Sequence, residues 1–267
     1  MLAKSWGCRS LLVLVPVLAS LASGTKGRSA DFEPPDSKAS PDLVKKQIVA
    51  LSNRFRQQEG RGQLKEDAKL SKAAQAYADF LARAEEFSHT ADGKEPAERV
   101  AEPGYRYCIV AENIANEYRA AGFTTEELAA RFIEGWKKSP PHRKNLLDPD
   151  VLDVGVGVAQ NSKTGKYYAV QDFGRPKSKE IKFQITNRTD AAVTYTLEGK
   201  SFSIEPRYTL THRLCRPSEL KFEWPSAGGP AAKLQPKNGS HYVIGKDEAG
   251  KYRVELSAKM GKNSDKK

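Results

Sequence analysis

Two short polar signatures on either side of one amphipathic segment dominate the middle of this sequence. Residues 111–115 read Ala-Glu-Asn-Ile-Ala, and residues 136–147 read Trp-Lys-Lys-Ser-Pro-Pro-His-Arg-Lys-Asn-Leu-Leu. Each signature sets charged or amide side chains among apolar ones, where an unpaired polar group is costly. Packing alone does not explain such patterns, so we expect both signatures to serve a site.

The segment between the signatures has the pattern of one helix. Thr124 and Glu127 have the spacing of a capping box, and apolar residues then recur on one helical face. Pro140 and Pro141 are expected to end this helix, because proline lacks the N–H that a continuing helix needs. His142 would then lie just beyond the helix end on a stiff turn, which suits a binding group.

Two histidines and a glutamate form a candidate metal set. His89 follows a second helical pattern, and Glu112 lies between Val110 and Ile114, where its carboxylate needs a facing cation or donor. Imidazole and carboxylate groups are common zinc ligands, although no HExxH run is present. A hydrogen-bonded structural role for each histidine is the alternative.

A series of motifs in a fixed order gives the chain a family resemblance. The series is Asn-Arg-Phe-Arg at 53–56, Leu64 and Leu70, an alanine-rich helix ending in Phe-Ser-His at 87–89, the signatures at 111–115 and 136–147, Val-Gly-Val-Gly-Val at 154–158 and Gln-Asp-Phe-Gly at 171–174. Residues 41–176, about half of the chain, thus resemble the CAP superfamily, which groups cysteine-rich secretory proteins, antigen 5 and pathogenesis-related proteins. The residues within these motifs resemble those of the bacterial, SCP-like branch of the superfamily.

The resemblance implies an α-β-α sandwich with a central cavity lined by a His, Glu, Glu, His tetrad. Three of these positions correspond to His89, Glu112 and His142. The implied metal ligands are the two histidines. Ser139 stands where eukaryotic members have the second glutamate, so one carboxylate is missing from the cavity. Ala111 replaces the glycine that precedes the first glutamate.

The first residues have the composition of an export signal. Lys4 and Arg9 precede an apolar run at 11–21 that is shorter than the roughly 20 residues needed to span a bilayer. We interpret residues 1–24 as a cleaved secretory signal, with an uncleaved anchor as the alternative. Residues 25–40 have the composition of a linker. The mature protein is therefore expected to be secreted or extracytoplasmic.

Further elements of the first module follow from local patterns. One helix should begin at Ser40-Pro41 with Val44, Ile48, Leu51 and Phe55 buried, and end at Gly60. A second should begin near Asp67, and its alanines indicate close approach to a neighbour. Residues 154–159 alternate as one strand, residues 161–165 have the composition of a turn, and residues 167–173 follow as a second strand, which predicts a β-hairpin. The glycines at 155 and 157 lie inside a strand, which disfavours a phosphate loop.

Residues 177–258 change to short alternating runs separated by turn residues. These runs start near residues 181, 193, 202, 220, 242 and 252 and predict a small all-β, sandwich-like module. His212 and His241 are expected to be ordinary strand or turn residues. Residues 259–267 are expected to be a disordered basic tail. The predicted fold class is therefore α+β, a CAP-type α-β-α sandwich followed by a small all-β module.

The positive charge is concentrated in the second half. Residues 175–267 contain 19 Lys and Arg against 10 Asp and Glu, a net of +9, whereas residues 1–174 contain 25 against 23, a net of +2. Such a field attracts anionic surfaces, for example cell-wall polymer, envelope lipid or acidic polysaccharide. The alternative is a merely solvated surface. Nucleic acid is not an expected partner, because no basic motif interleaved with aromatic residues is present.

Two cysteines would remain after removal of the signal, because Cys8 lies within it. Cys108 and Cys215 fall one in each module. A single bridge between the modules and two buried free thiols both fit this arrangement. We expect the free thiols.

Two functions fit the candidate cavity. In the first, a divalent metal such as Zn²⁺ is held by His89 and His142, and the module binds a ligand or partner outside the cell. In the second, the module is a metal-assisted hydrolase with Glu112 as general base. If Glu112 is instead a ligand, no carboxylate is left as base, and Ser139 is too weak a base to replace it. The sequence favours binding over catalysis, and the resemblance implies lipid, sterol or protease chemistry without deciding among them.

Overall fold

The computed structural model describes residues 38–225 and 232–257, all within one compact unit. The predicted signal, most of the predicted linker and the whole predicted tail lie outside these residues. The first module contains five helices, which are α1 (Pro41–Gln58), α2 (Ala68–Ala84), α3 (Pro96–Ala101), α4 (Thr125–Lys138) and α5 (Pro140–Leu147). Its strands are β1 (Lys65–Glu66), β2 (Tyr107–Glu117), β3 (Asp153–Gln160) and β4 (Tyr167–Pro176).

The four strands form one mixed sheet in the order β1-β3-β4-β2. β1 runs parallel to β3, and the β3–β4 and β4–β2 pairs are antiparallel. The predicted hairpin is therefore confirmed as the centre of the sheet. β2, which contains the first polar signature, is an edge strand of this sheet.

Helices cover both faces of the sheet. Val154, Val156 and Val158 point toward a core shared with α1 and α4, whereas α2 packs on the opposite face with Ile114 and Val170. A Cβ on Gly157 would lie 2.2 Å from the carbonyl oxygen of Ala74 in α2. Glycine is thus required for close helix-to-strand approach, and the α-β-α sandwich is confirmed.

The helix ends show which local signals were sufficient. The capping box of Thr124 and Glu127 is formed in both directions, and Asp67 caps α2 by accepting hydrogen bonds from two backbone N–H groups. The expectation that Pro140 and Pro141 lead into a turn is wrong. They occupy the first positions of α5, where a missing N–H costs nothing, so His142 lies in the first turn of a new helix.

The second module consists of two four-stranded sheets with one shared core. Its strands are β5 (Ile181–Asn187), β6 (Val193–Leu197), β7 (Lys200–Ile204), β8 (Thr209–Leu214), β9 (Leu220–Glu223), β10 (Lys233–Leu234), β11 (His241–Lys246) and β12 (Tyr252–Ser257). The sheet orders are β10-β9-β6-β7 and β12-β11-β5-β8. Tyr195 and Phe222 of one sheet pack with Phe183 and Ile244 of the other, as expected for a sandwich. The sequence missed β8 and the short β10.

A disulfide joins the modules, so the expectation of free thiols is wrong. Cys108 lies in a bulge of β2 between the ladder positions of Tyr107 and Ile109, and Cys215 directly follows β8. Their Cα atoms are 5.3 Å apart, within the span that a disulfide bridges. The neighbouring Arg216 donates hydrogen bonds to Asp148 and Asp150 of the first module at 2.7–2.8 Å.

Across residues 38–225 and 232–257, no helix has both the length and the apolar character that a membrane span requires.

Candidate functional site

The polar signatures meet at the free edge of the first sheet. β2 presents Glu112 there, α5 brings His142, and the loop after α2 brings His89. The rings of His89 and His142 lie 6.4 Å apart between centroids, with their planes inclined by 52°. The structure therefore brings together three of the four predicted cavity residues, which are separated by up to 53 positions in the chain.

Glu112 is the buried centre of the site. Its side chain is 1% exposed, and both carboxylate oxygens are engaged. Oε1 lies 2.7 Å from Nδ1 of His89, and Oε2 accepts a hydrogen bond of 2.7 Å from Nη2 of Arg99. The cation that a carboxylate at this position requires is thus Arg99, a residue that the sequence analysis did not single out.

Arg99 holds the loop of His89 as well as Glu112. Its guanidinium donates to the carbonyls of His89 and Lys94 at 2.8 and 2.7 Å and to Asp92 at 2.9 Å, and it lies 3.5 Å above the Tyr77 ring. Burial alone would lower the pKa of Arg99, but the charge and hydrogen bond of Glu112, together with Tyr77 and Asp92, outweigh burial and raise that pKa. Arg99 is therefore a fixed cation that orders the loop around His89.

His142 faces His89 from the first turn of α5. Its backbone carbonyl accepts a hydrogen bond of 3.2 Å from Asn113, which anchors the start of α5 to β2. Burial, and then the nearby His89, lower the pKa of His142, which favours the neutral imidazole that a metal ligand requires. Within residues 38–225 and 232–257, neither ring nitrogen of His142 has a hydrogen-bond partner, and neither has Nε2 of His89.

Ser139 lies one helical turn before His142, between α4 and α5. It serves as the boundary residue of both helices, and its side chain makes no capping hydrogen bond. The described contacts include none between the Ser139 hydroxyl and His89, Glu112 or His142. Ser139 is thus adjacent to the site along the chain without contributing a polar contact to it.

Asp172 is a second buried acid beside Glu112, and the sequence analysis did not assign it a role. It pairs with Glu112 across the β2–β4 ladder and is 1% exposed. Burial and the charge of Glu112 raise the pKa of Asp172 well above its usual range, against the opposing effect of Arg99. Its Oδ1 has no hydrogen-bond partner among the described residues. The sequence motif at 171–174 includes Asp172, but it did not indicate that this side chain is buried.

The donor set fits a metal held by two imidazoles. A histidine ligand typically donates its other ring N–H to a carboxylate, which fixes the tautomer, and Glu112 occupies that position toward His89. The only described group of three His, Cys, Asp or Glu side chains with ligand atoms within 4.8 Å of one another is Cys108, Glu180 and Cys215. The sulfur atoms of that group are joined in the disulfide, so it is not a competing metal site.

The similarity of this chain to known proteins lies in the first module. Residues 49–173 match the family model CAP, the cysteine-rich secretory protein family. The protein YkwD of Bacillus subtilis (strain 168) is 30% identical over 138 residues, which are 51% of this chain and 49% of that protein. This chain therefore covers about half the length of that relative.

Two solved structures are also similar over half of this chain. An outer surface protein from Borrelia burgdorferi is 21% identical with a TM-score of 0.46, over 52% of this chain and 98% of that one. An extracellular protein containing an SCP domain from Bacillus anthracis is 25% identical with a TM-score of 0.43, over 51% of this chain and 41% of that one. The match of the family model at residues 49–173 confirms the predicted CAP domain in the first module.

Proposed function

We propose that the first module is a metal-dependent binding unit that works outside the cytoplasm, with His89 and His142 as the protein ligands of a divalent cation such as Zn²⁺. The observation that supports this most is the pair of facing imidazoles with unpartnered nitrogens, one of them oriented by Glu112. When bound, the metal supplies a positive centre with coordination positions open to a ligand. Glu112 and Arg99 hold His89 in place for that role.

A hydrolase has less support at this site. A general base needs a carboxylate with a free oxygen near the metal, but Oε1 of Glu112 is used by His89 and Oε2 by Arg99. Asp172 is 1% exposed, and its pKa is raised mainly by burial, which disfavours the carboxylate that a general base requires. By the family resemblance, Ser139 stands where eukaryotic members have the second glutamate. The arrangement therefore favours binding over water activation.

The disulfide supports a location outside the cytoplasm. Disulfides persist in oxidising compartments and are rare in the cytosol, and Cys108–Cys215 is such a bond. The apolar run at residues 11–21, interpreted as a secretory signal, agrees with this location.

Calorimetric titration of Zn²⁺ tests the metal site. We expect one site per chain in the wild type and its loss in His89→Ala and in His142→Ala. His241→Ala is the matched control, because His241 lies on β11 of the second module and hydrogen-bonds to Thr186. Equal isotherms for all four proteins would show that these histidines are structural and would remove the basis of the proposal.

For the second module we propose attraction to an anionic surface such as cell-wall polymer or acidic polysaccharide. Several of its described cations have no side-chain partner among the described residues, namely Lys182, Arg188, Lys200, Arg207, Lys221, Lys237 and Lys251. Other cations, such as Arg213 with Glu180, are neutralised within the fold. The unpaired group leaves a net positive field available to a partner.

Retention on an anionic resin tests this second proposal. Retention should fall steeply with salt, because the Debye length shrinks from about 10 Å at 0.1 M to about 3 Å at 1 M. Lys182→Glu with Lys237→Glu should elute earlier than the wild type. The matched control, Lys46→Glu with Lys138→Glu, makes the same charge change in the first module. Equal elution of the two double variants would contradict the proposal.

A further inference from the structure

The loop that contains His89 is attached to the rest of the fold by few groups. It connects α2 to α3, and its residues 85–90 are exposed. The side chain of His89 is 45% exposed, so packing alone does not orient its ring. Among the described residues, only Tyr77 and Arg99 hydrogen-bond the backbone of residues 88–91 to the rest of the fold. The position of this backbone, and hence of the imidazole, therefore depends on these two side chains.

The hydroxyl of Tyr77 holds the loop on both sides of His89. It donates a hydrogen bond of 2.5 Å to the carbonyl of Ser88 and accepts one of 3.1 Å from the backbone N–H of Ala91. Tyr77 lies on α2 and is 1% exposed, so the body of the first module fixes its position. Burial is the main cause that raises the pKa of Tyr77, so the hydroxyl stays protonated near neutral pH and able to donate.

The ring of Tyr77 supports the second anchor of the loop. The guanidinium carbon of Arg99 lies 3.5 Å from the centre of that ring. From this position, Nη2 of Arg99 donates to the carbonyl of His89 at 2.8 Å and to Oε2 of Glu112 at 2.7 Å. One buried tyrosine thus holds the loop directly through its hydroxyl and indirectly through Arg99.

We propose that Tyr77 is a positioning residue for His89, whose hydroxyl holds the imidazole against Glu112 and so selects the tautomer that binds metal. The inference rests on the proposed metal site. With the hydroxyl in place, Nδ1 of His89 stays 2.7 Å from Oε1 of Glu112, and Nε2 is left for a cation. Without the hydroxyl, water replaces it as the partner of Ser88 and Ala91, and the loop shifts while the fold persists.

Tyr77→Phe tests this role, because the ring that supports Arg99 remains and only the hydroxyl is lost. Tyr105→Phe is the matched control. Tyr105 is 4% exposed, and its hydroxyl donates to Asp153 at 2.8 Å and makes no contact with the loop of His89. Urea unfolding of both variants measures how much stability each hydroxyl contributes, so that an effect on the site is separated from an effect on the fold.

Two measurements on the full chain in EDTA need no bound metal. Long-range ¹H–¹⁵N NMR should show His89 protonated on Nδ1 in the wild type and in Tyr105→Phe, and a mixture of both tautomers in Tyr77→Phe. The Ala91 amide should be protected from hydrogen exchange in the wild type and should exchange at least tenfold faster in Tyr77→Phe than in Tyr105→Phe. A role in stability alone would leave the tautomer unchanged.

Titration of Zn²⁺ then measures the consequence for the metal site. We expect binding to Tyr77→Phe to be at least tenfold weaker than binding to the wild type and to Tyr105→Phe. A wild type that binds no Zn²⁺ would refute the metal site, and the two measurements in EDTA would still decide the role of Tyr77. An unprotected Ala91 amide in the wild type, an unchanged His89 tautomer in Tyr77→Phe, an equal change in Tyr105→Phe, or equal Zn²⁺ affinities of the wild type and Tyr77→Phe would each overturn the proposal.

Discussion

Replacing both Cys108 and Cys215 by serine should destabilise the protein by opening a large closed loop. The bond joins residues 107 positions apart, a loop that includes β3 and β4 of the first module and β5 to β8 of the second. In the chain-entropy treatment, the loss for such a loop is 2.1 + 1.5R ln 107, or about 16 cal/mol/K, which is about 4.8 kcal/mol at 25 °C. Arg216 still contacts Asp148 and Asp150 without the bond, so the native arrangement of this junction should persist.

Urea unfolding of the wild type and the double serine variant measures this difference. With a slope of about 3 kcal/mol/M, the midpoint of the variant should fall by about 1.6 M. The control is the wild type in a thiol-free reductant, which should unfold at the midpoint of the variant. A loss below about 1 kcal/mol, or a reduced wild type as stable as the oxidised protein, would refute the reasoning that the closed loop constrains the unfolded chain.

Three further predictions concern buried or half-buried positions. Arg99→Met should cost about 3–5 kcal/mol in unfolding free energy because it leaves the Glu112 carboxylate buried without its cation, and combining it with Glu112→Gln should cost less than the sum of the two single changes. Gly157→Ala should cost about 1–3 kcal/mol because its Cβ meets the α2 backbone, whereas a Cβ on Gly245 meets nothing within 4 Å and Gly245→Ala should be nearly neutral in the same assay. Burial lowers the pKa of His212, so the unfolded chain takes up a proton first as pH falls, and stability should decrease below about pH 6.5; His212→Gln should flatten this part of the pH profile of urea unfolding.

Local sequence signals predicted a helix start correctly where a single side chain determines it. The capping box of Thr124 starts α4, Asp67 caps α2, and Pro41 begins α1 as expected. Leu51 is only partly buried, although it was expected in the buried stripe of α1. The turn expected at Pro140 and Pro141 was predicted wrongly. Proline ends a preceding helix, but it is also favoured at the first position of a new helix.

The site needed tertiary information that the sequence does not contain. The environment of Glu112 predicted a facing cation or donor, but only the fold shows that it is Arg99, 13 residues earlier. The pairing of Cys108 depends on a bulge in β2 that has no clear sequence signal. β8 was missed because His212 occupies a position where its alternating pattern expects an apolar residue.

The boundaries predicted between the signal, linker, modules and tail stay predictions. The fold class, by contrast, is confirmed, since the periods of the apolar residues differ between the two modules. Period 3.6 marks α1, α2 and α4, and period 2 marks β5 and β6, whose residues alternate between buried and half-buried. These patterns are local and strong, whereas the geometry around His89 and His142 depends on contacts distant in sequence.

The protonation of the two imidazoles tests the central claim most directly. Because Nδ1 of His89 lies 2.7 Å from Glu112, the neutral ring should carry its proton on Nδ1 and leave Nε2 free for a metal. Long-range ¹H–¹⁵N NMR near neutral pH reports the tautomer, and Zn²⁺ should then shift one ring nitrogen of His142 and Nε2 of His89. A His89 ring protonated on Nε2, or imidazole resonances unchanged by stoichiometric Zn²⁺, would contradict the account.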